Sequence, residues 1–274
     1  MTKEKLLNVA SFKAMKSRGA RIAMITAYDY SMARCVAQSD MDIILVGDSL
    51  GMVVLGYETT LEVTIEDIVY HSAAVRRGAP NAFIIADMPF MSYHLSREQT
   101  KQNAADLIIR GGANAVKLEG GSASRLDAIR AIVDCEIPVC AHIGLTPQSI
   151  HRIGGYKVQG KTEAEYEDLL HQAIAIEAAG AFMLVLEGIP EALGQEISKR
   201  LIIPTIGIGA GRHCDGQVLV WHDLLGLSGM LPKFVKTYAD IQSGIVQALD
   251  SYGQEVRSGA FPATEHVYYP INKE

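Results

Sequence analysis

Short apolar runs alternate along the chain with glycine-rich or polar turns and longer helical stretches, and the pattern recurs eight times. The runs cover residues 21–26, 41–46, 82–86, 115–118, 138–141, 181–186, 204–208 and 218–221 and are rich in Val, Ile and Leu. Continuous runs of this kind suit strands covered on both faces, as in a parallel sheet; a half-exposed strand would alternate apolar and polar positions. The intervening segments carry helix signals. One opens at Ser96 with Glu98 and Gln99 and stops at Gly111-Gly112; another opens at Thr162-Glu163 and ends at Gly180. A Ser or Thr oxygen caps free N–H groups at a helix start, and glycine takes the left-handed turn that ends one.

Strands alternating with helices predict a parallel sheet under helices. Eight repeats predict a closed (β/α)8 TIM barrel, which takes about 250 residues; the chain has 274. An open, doubly wound sheet carries the same local signals and stays a competitor at this point. The whole chain, 1–274, reads as a single barrel domain. Residues 1–20 are expected to form a leading helix that closes the bottom, and 253–274 a C-terminal arm along the surface.

Composition narrows the picture. With 49% hydrophobic and 20% charged residues the chain is globular, not disordered. A net charge of −6 gives no hint of nucleic-acid binding, which usually needs a basic face, though it leaves room for a local basic pocket. No run approaches the ~18 apolar residues of a membrane span, and no segment reads as a signal peptide, so no membrane or nucleic-acid partner is expected. Cys35, Cys135, Cys140 and Cys214 match no zinc spacing and read as small reduced thiols.

The chemistry lies at the C-terminal ends of the runs: Asp29, Asp48-Ser49, Asp87, Lys117 with Glu119, His142, Glu187 and His222-Asp223. In a (β/α)8 enzyme the C-terminal strand ends form the active-site mouth, so these groups converge. Side chains two apart on a strand share a face. That pairs Lys117 with Glu119, Asp48 with Val46, Asp87 with Ile85 and Glu187 with Val185. Carboxylates crowded together raise one another's pKa unless a cation relieves them, and an all-oxygen set favours magnesium or manganese over zinc. A single Asp after a strand is more often a helix cap, and Asp29 and Asp223 need be no more than that. Gly207-Ile208-Gly209-Ala210-Gly211 has the form of an anion loop, with tight backbone packing as the plainer explanation. The segment from Gly154 to Lys161 reads as a mobile loop above the mouth, with His151 and Arg152 as loop contacts.

Eight ordered segments carry a resemblance. They are Thr26-Ala-Tyr-Asp29, Gly47-Asp-Ser-Leu-Gly-Met52, Ala86-Asp-Met-Pro-Phe90, Ala115-Val-Lys-Leu-Glu-Gly-Gly121, Ala141-His-Ile-Gly-Leu-Thr-Pro-Gln148, Leu184-Val-Leu-Glu187, Pro204-Thr-Ile-Gly-Ile-Gly-Ala-Gly211 and Cys214-Asp-Gly-Gln-Val-Leu-Val-Trp-His-Asp223. Together they resemble the ketopantoate hydroxymethyltransferase family, with no departure at a chemically important position. The resemblance implies transfer of a one-carbon unit from 5,10-methylenetetrahydrofolate to 3-methyl-2-oxobutanoate, giving 2-dehydropantoate on the way to pantothenate. It implies Mg²⁺ held by Asp48, Asp87 and Glu119. The oxo acid would lie against Asp48, Ser49, Asp87, Lys117 and His142, with Glu187 as the base and a homo-oligomer, a decamer, as the assembly. The rival is a Mg²⁺-dependent lyase or mutase of the phosphoenolpyruvate mutase and isocitrate lyase type. Those enzymes need a reactive cysteine on a mobile loop, and none of the four here is so placed.

Overall fold

The computed structural model describes residues 6–229 and 231–270. Eight parallel strands close into a barrel in chain order. They are β1 (Ile22–Thr26), β2 (Ile43–Val46), β3 (Phe83–Asp87), β4 (Ala115–Glu119), β5 (Val139–Gly144), β6 (Met183–Glu187), β7 (Thr205–Ile208) and β8 (Gly216–Leu219). Closure of β1 on β8 rules out the open sheet.

Seven of the eight strands lie on their apolar runs to within a few residues. The eighth is displaced: the run at 218–221 predicts a strand reaching Trp221, whereas β8 starts at Gly216 and Trp221 already begins the short helix Trp221–Leu224. The cause is close packing. A Cβ on Gly216 would stand 2.3 Å from the Ile22 carbonyl oxygen, so the strand's first residue must be glycine and carries no hydrophobic mark.

Ile22, Met24, Ile43, Leu45, Phe83, Ile85, Ala115, Cys140, Met183, Val185, Ile206 and Val218 fill the barrel interior. The helix Val9–Ser17 starts at a capping box between Asn8 and Ser11 and inserts Phe12 and Met15 into the same cluster. Phe12 meets Phe83 edge-on at 4.9 Å, and Phe83 meets Phe182 at 6.0 Å. These rings lie at the strands' N-terminal ends, so the leading helix closes the bottom. Burying Phe12 is worth about 1.5–3 kcal/mol. Residues 1–5 of the expected helix lie outside the described residues.

Caps behave as their residue types dictate. Asp29 accepts from the Met32 N–H at 2.7 Å, Ser96 from Gln99 at 3.1 Å and Thr162 from Glu165 at 3.3 Å. Asp29 is thus a helix cap, the plainer of its two readings.

The chain groups into two compact units, 1–221 and 222–274. The second holds the helix Ile241–Ser258, capped by Asp240 and ended by Gly259 in the left-handed conformation. Residues 253–258 of the expected C-terminal arm are the last of this helix. Beyond it Phe261 packs on Tyr252 at 5.6 Å.

Candidate active site

Strand register brings the ionisable groups to one level. Asp87 pairs with Lys117 across β3 and β4, and Glu119 with His142 across β4 and β5. Laterally paired positions of a parallel sheet face the same side, so all four side chains point into the mouth. All four are also buried. Lys117 Nζ lies 3.2 Å from Asp87 Oδ1 and 3.3 Å from His142 Nδ1. His142 in turn lies 3.4 Å from Glu119 Oε1 through Nδ1 and 3.3 Å from Glu187 Oε2 through Nε2. Glu187 closes β6 on the far side of His142. Its side chain is 16% exposed against 3% for Glu119 and Asp87, so it is the carboxylate most open to an incoming molecule.

Asp48 arrives by a different route from the one strand parity gives. Val46 lies outside the interior cluster and Leu45 within it, so continued alternation would turn Asp48 away from the mouth. Strand β2 ends at Val46, however, and the turn after it swings Asp48 inward. Its backbone N–H donates to Asp87 Oδ2 at 3.0 Å, and its own carboxylate accepts from Gln148 Nε2 at 2.8 Å. Ser49 sits in the same turn, with its Oγ 2.8 Å from the Tyr28 hydroxyl. A Cβ on Gly47 would stand 2.9 Å from that Oγ and 3.4 Å from Asp87 Oδ2, so glycine leaves room for these two side chains.

Two groups carry no mark in the sequence pattern. Gln148 donates its backbone N–H to Glu119 Oε2 at 3.1 Å as well as its amide to Asp48. Tyr93 donates its hydroxyl to Gln148 Oε1 at 2.6 Å and accepts from the Glu119 N–H at 3.2 Å. Tyr93 sits in a turn after β3 and Gln148 in the short 3-10 turn Pro147–Ser149, so no strand parity marks either. The one signal for Gln148 is its place at the end of the segment that starts at Ala141.

Electrostatics follow from four carboxylates sharing one ammonium and one imidazole in a dry place. Burial, then the charges of Asp87 and Glu119, push Asp48 well above the usual carboxylate range. Burial also raises Asp87, against the pull of Lys117. Burial opposes the charge on Lys117, but Asp87, Glu119 and Asp48 outweigh it and hold the ammonium protonated above its ordinary range. Burial and Lys117 likewise oppose a charge on His142, yet its bonds to Glu119 and Glu187 raise it to about 9. His142 Nδ1 then carries a proton and gives it to Glu119. Burial alone would raise Glu119, but the hydrogen bond and charge of His142 win and lower it.

Among the described residues no three Asp, Glu, His or Cys side chains form a ready-made metal cage. Asp48, Asp87 and Glu119 are each engaged by a neighbour instead: Gln148, Lys117 and His142 in turn. The donor set still fits a hard divalent cation. It is all oxygen, its two aspartates are destabilised by burial and crowding, and Asp87 Oδ1 lacks a directed hydrogen bond.

A cleft of about 1370 Å³ opens beside Glu119. Phe90, Tyr93, His94 and Tyr156 give it aromatic walls, and Arg125, Arg152 and Lys157 give it charge. The Tyr93 and His94 rings meet at 4.3 Å, tilted by 43°, and Arg125 lies 5.2 Å over the Tyr93 ring. The loop after Gly154 crosses this cleft, and the Tyr156 hydroxyl reaches Met52 Sδ at 3.3 Å. Gly207 within β7 and Gly211 in the turn after it show close packing instead: a Cβ on Gly211 would meet Glu191 Cα at 2.9 Å, and one on Gly207 would meet Cys214 Sγ at 3.0 Å.

A family model for ketopantoate hydroxymethyltransferase matches residues 6–264 of this sequence. The chain belongs to the ketopantoate hydroxymethyltransferase family. A 3-methyl-2-oxobutanoate hydroxymethyltransferase of Clostridium beijerinckii is 53% identical over 261 residues, 95% of this chain and 94% of that protein. One of Geobacter metallireducens is 54% identical over 261 residues, 95% and 97% of the two chains. Among solved structures, a 2,3-dimethylmalate lyase of the PEP mutase/isocitrate lyase superfamily superposes with a TM-score of 0.61 at 16% identity, covering 94% of this chain and 91% of that one. A phosphoenolpyruvate phosphomutase from Streptomyces platensis does so with 0.61 at 14% identity, covering 96% and 92%. At that identity the likeness shows a shared barrel and no shared reaction. The cysteines of this family member agree: Cys35 and Cys135 are exposed away from the cleft lining, Cys214 is buried, and burial pushes the Cys140 thiol up to about 12. No helix among the described residues is long and apolar enough to cross a membrane.

Proposed function

We propose that this chain transfers a hydroxymethyl group from 5,10-methylenetetrahydrofolate to 3-methyl-2-oxobutanoate, giving 2-dehydropantoate, with Mg²⁺ held by Asp48, Asp87 and Glu119. The observation that carries the reading is the division of labour at the mouth. A buried ammonium and three buried carboxylates form the floor, while a fourth carboxylate, Glu187, stands on another strand and faces the opening.

The C3 proton of the oxo acid is too weakly acidic for a free carboxylate to remove. When bound, Mg²⁺ would polarise the keto oxygen and stabilise the negative charge that develops there. Lys117, whose ammonium the surrounding carboxylates favour, attracts the substrate carboxylate. Ser49 and Asp48, in the turn after β2, border the same place. Glu187 takes the C3 proton, because a base must approach from outside the groups that grip the keto acid. His142 holds Glu187 from one side and would lie near the new hydroxymethyl group. The enolate carbon then bonds to the methylene carbon carried by the folate, whose C–N bonds break to leave tetrahydrofolate, while one water supplies the oxygen of the new hydroxymethyl group. The cleft is far larger than a five-carbon oxo acid needs, and its aromatic walls and flanking Arg125, Arg152 and Lys157 suit a flat pterin with an anionic glutamate tail. The loop bearing Tyr156 would limit water during the reaction. A cytoplasmic homo-oligomer, a decamer, completes the reading by family likeness.

The test is proton exchange. With Mg²⁺ in deuterated water and no folate, the protein should wash out the C3 proton of 3-methyl-2-oxobutanoate, followed by NMR. With folate it should form 2-dehydropantoate. A protein that binds the oxo acid but exchanges nothing is a binder, and the proposal fails.

A further inference from the structure

Gln148 is buried, and each polar group of its side chain has an assignable partner. The backbone N–H of Glu119 can only donate, so the Tyr93 oxygen accepts it at 3.2 Å. The Tyr93 proton is then free to go to Gln148 Oε1 at 2.6 Å. That choice turns Nε2 the other way, toward two groups that only accept: the Asp48 carboxylate at 2.8 Å and the Met88 carbonyl at 3.0 Å. The Gln148 backbone N–H reaches Glu119 Oε2 at 3.1 Å. One residue therefore grips carboxylates from two different β/α units, after β2 and on β4, and a tyrosine from a third, after β3, fixes which way its amide points.

We propose that Gln148 is a positioning residue that sets the spacing of Asp48 and Glu119, with Tyr93 as the group that orients it. This rests on the function proposed above. Neither residue touches the reacting carbon; both act through the carboxylates. Glutamine suits the position for a stated reason. Its amide supplies a donor to Asp48 and an acceptor to Tyr93 at the same time, which no apolar side chain of that size can do.

Gln148→Met keeps the volume and removes both functions, and Tyr93→Phe removes only the orienting hydroxyl. Two readouts separate positioning from packing: Mn²⁺ binding followed by electron paramagnetic resonance on the protein alone, and the kcat of C3 exchange with its KM. Loss of a hydrogen bond to a charged group should weaken each by about tenfold or more in Gln148→Met. Tyr93→Phe should do less, and both variants should keep the wild-type circular dichroism spectrum and unfold within a few degrees of wild type. A Gln148→Met protein with wild-type Mn²⁺ affinity and wild-type exchange would overturn the inference, as would losses that vanish once unfolded protein is discounted. The two readouts fail separately. If the wild-type protein exchanges the proton without binding Mn²⁺, the metal assignment falls and the exchange arm alone judges Gln148. If it binds Mn²⁺ without exchanging, the proposed reaction falls and the Mn²⁺ arm judges it.

Discussion

Lys117→Met removes the buried charge and keeps most of the side chain's bulk. Lys117 and its partner Asp87 are 5% and 3% exposed, 3.2 Å apart, so water screens the pair little. Breaking a buried pair by deleting one partner typically costs about 3–5 kcal/mol. For a chain somewhat larger than 150–250 residues this corresponds to a fall in Tm of roughly 6–20 °C. The loss must also depend on pH. Asp48 and Asp87 are raised in the folded chain, so above the ordinary Asp pKa of about 3.9 the folded state holds more protons than the unfolded one, and these groups destabilise it increasingly as pH rises. Deleting Lys117 takes away a charge that lowers both, so they rise further and the deficit grows with pH. Lys117 itself, raised when folded, contributes in full below its unfolded pKa of about 10.4 and adds no slope in this window. Urea unfolding without divalent ions should therefore show a larger deficit near pH ~8 than near pH ~5.5. A deficit below about 1 kcal/mol, the scale of an exposed pair, or one equal at both pH values, would refute the picture of Lys117 as the compensating charge of a buried acidic cluster.

Three other outcomes are expected from the same geometry. His142, raised to about 9, contributes stability that is complete below its unfolded pKa of about 6.5 and is lost as pH rises through about 9, so in protein free of divalent ions its ring resonances should titrate near that value; a midpoint below neutrality would contradict the bridge to Glu119 and Glu187. Gly144→Ala places a Cβ 2.2 Å from the Glu187 carbonyl oxygen at a φ of 97°, and should destabilise the chain by more than about 3 kcal/mol in thermal unfolding; near-normal stability would mean that β5 and β6 are less rigid than they stand. Asp87→Ala should fold, since the residue lies at the mouth, yet lose divalent-dependent activity; full activity at low Mg²⁺ would remove Asp87 from the metal set.

Much of the fold is legible in the chain because barrel strands are marked twice, by continuous apolar runs and by the chemistry at their ends. Lys117 and Glu119 can be placed on one face because they lie within β4, where alternation holds. The same rule fails for Asp48, which lies in a turn past the end of β2, where side-chain direction is set by local backbone and not by a period of two. Gly216 hides the start of β8, because a position chosen for close backbone approach carries no hydrophobic mark. The roles of Tyr93 and Gln148 are hidden for a third reason. Their meaning is a hydrogen-bond circuit between turns 55 residues apart, and no local pattern encodes a partner at that distance.

The central claim is that Glu187 removes the C3 proton while Asp48, Asp87, Lys117 and Glu119 hold the oxo acid and the cation. Glu187→Gln keeps the shape and deletes the base. The direct measurement is C3 proton exchange of 3-methyl-2-oxobutanoate in deuterated water by NMR, with oxo-acid and Mn²⁺ binding measured on the same protein. The account predicts near-normal binding of both and exchange slowed by roughly a hundredfold or more. Fast exchange with only product formation impaired would contradict it, moving Glu187 to the hydroxymethyl or folate side and making His142 the next base to test.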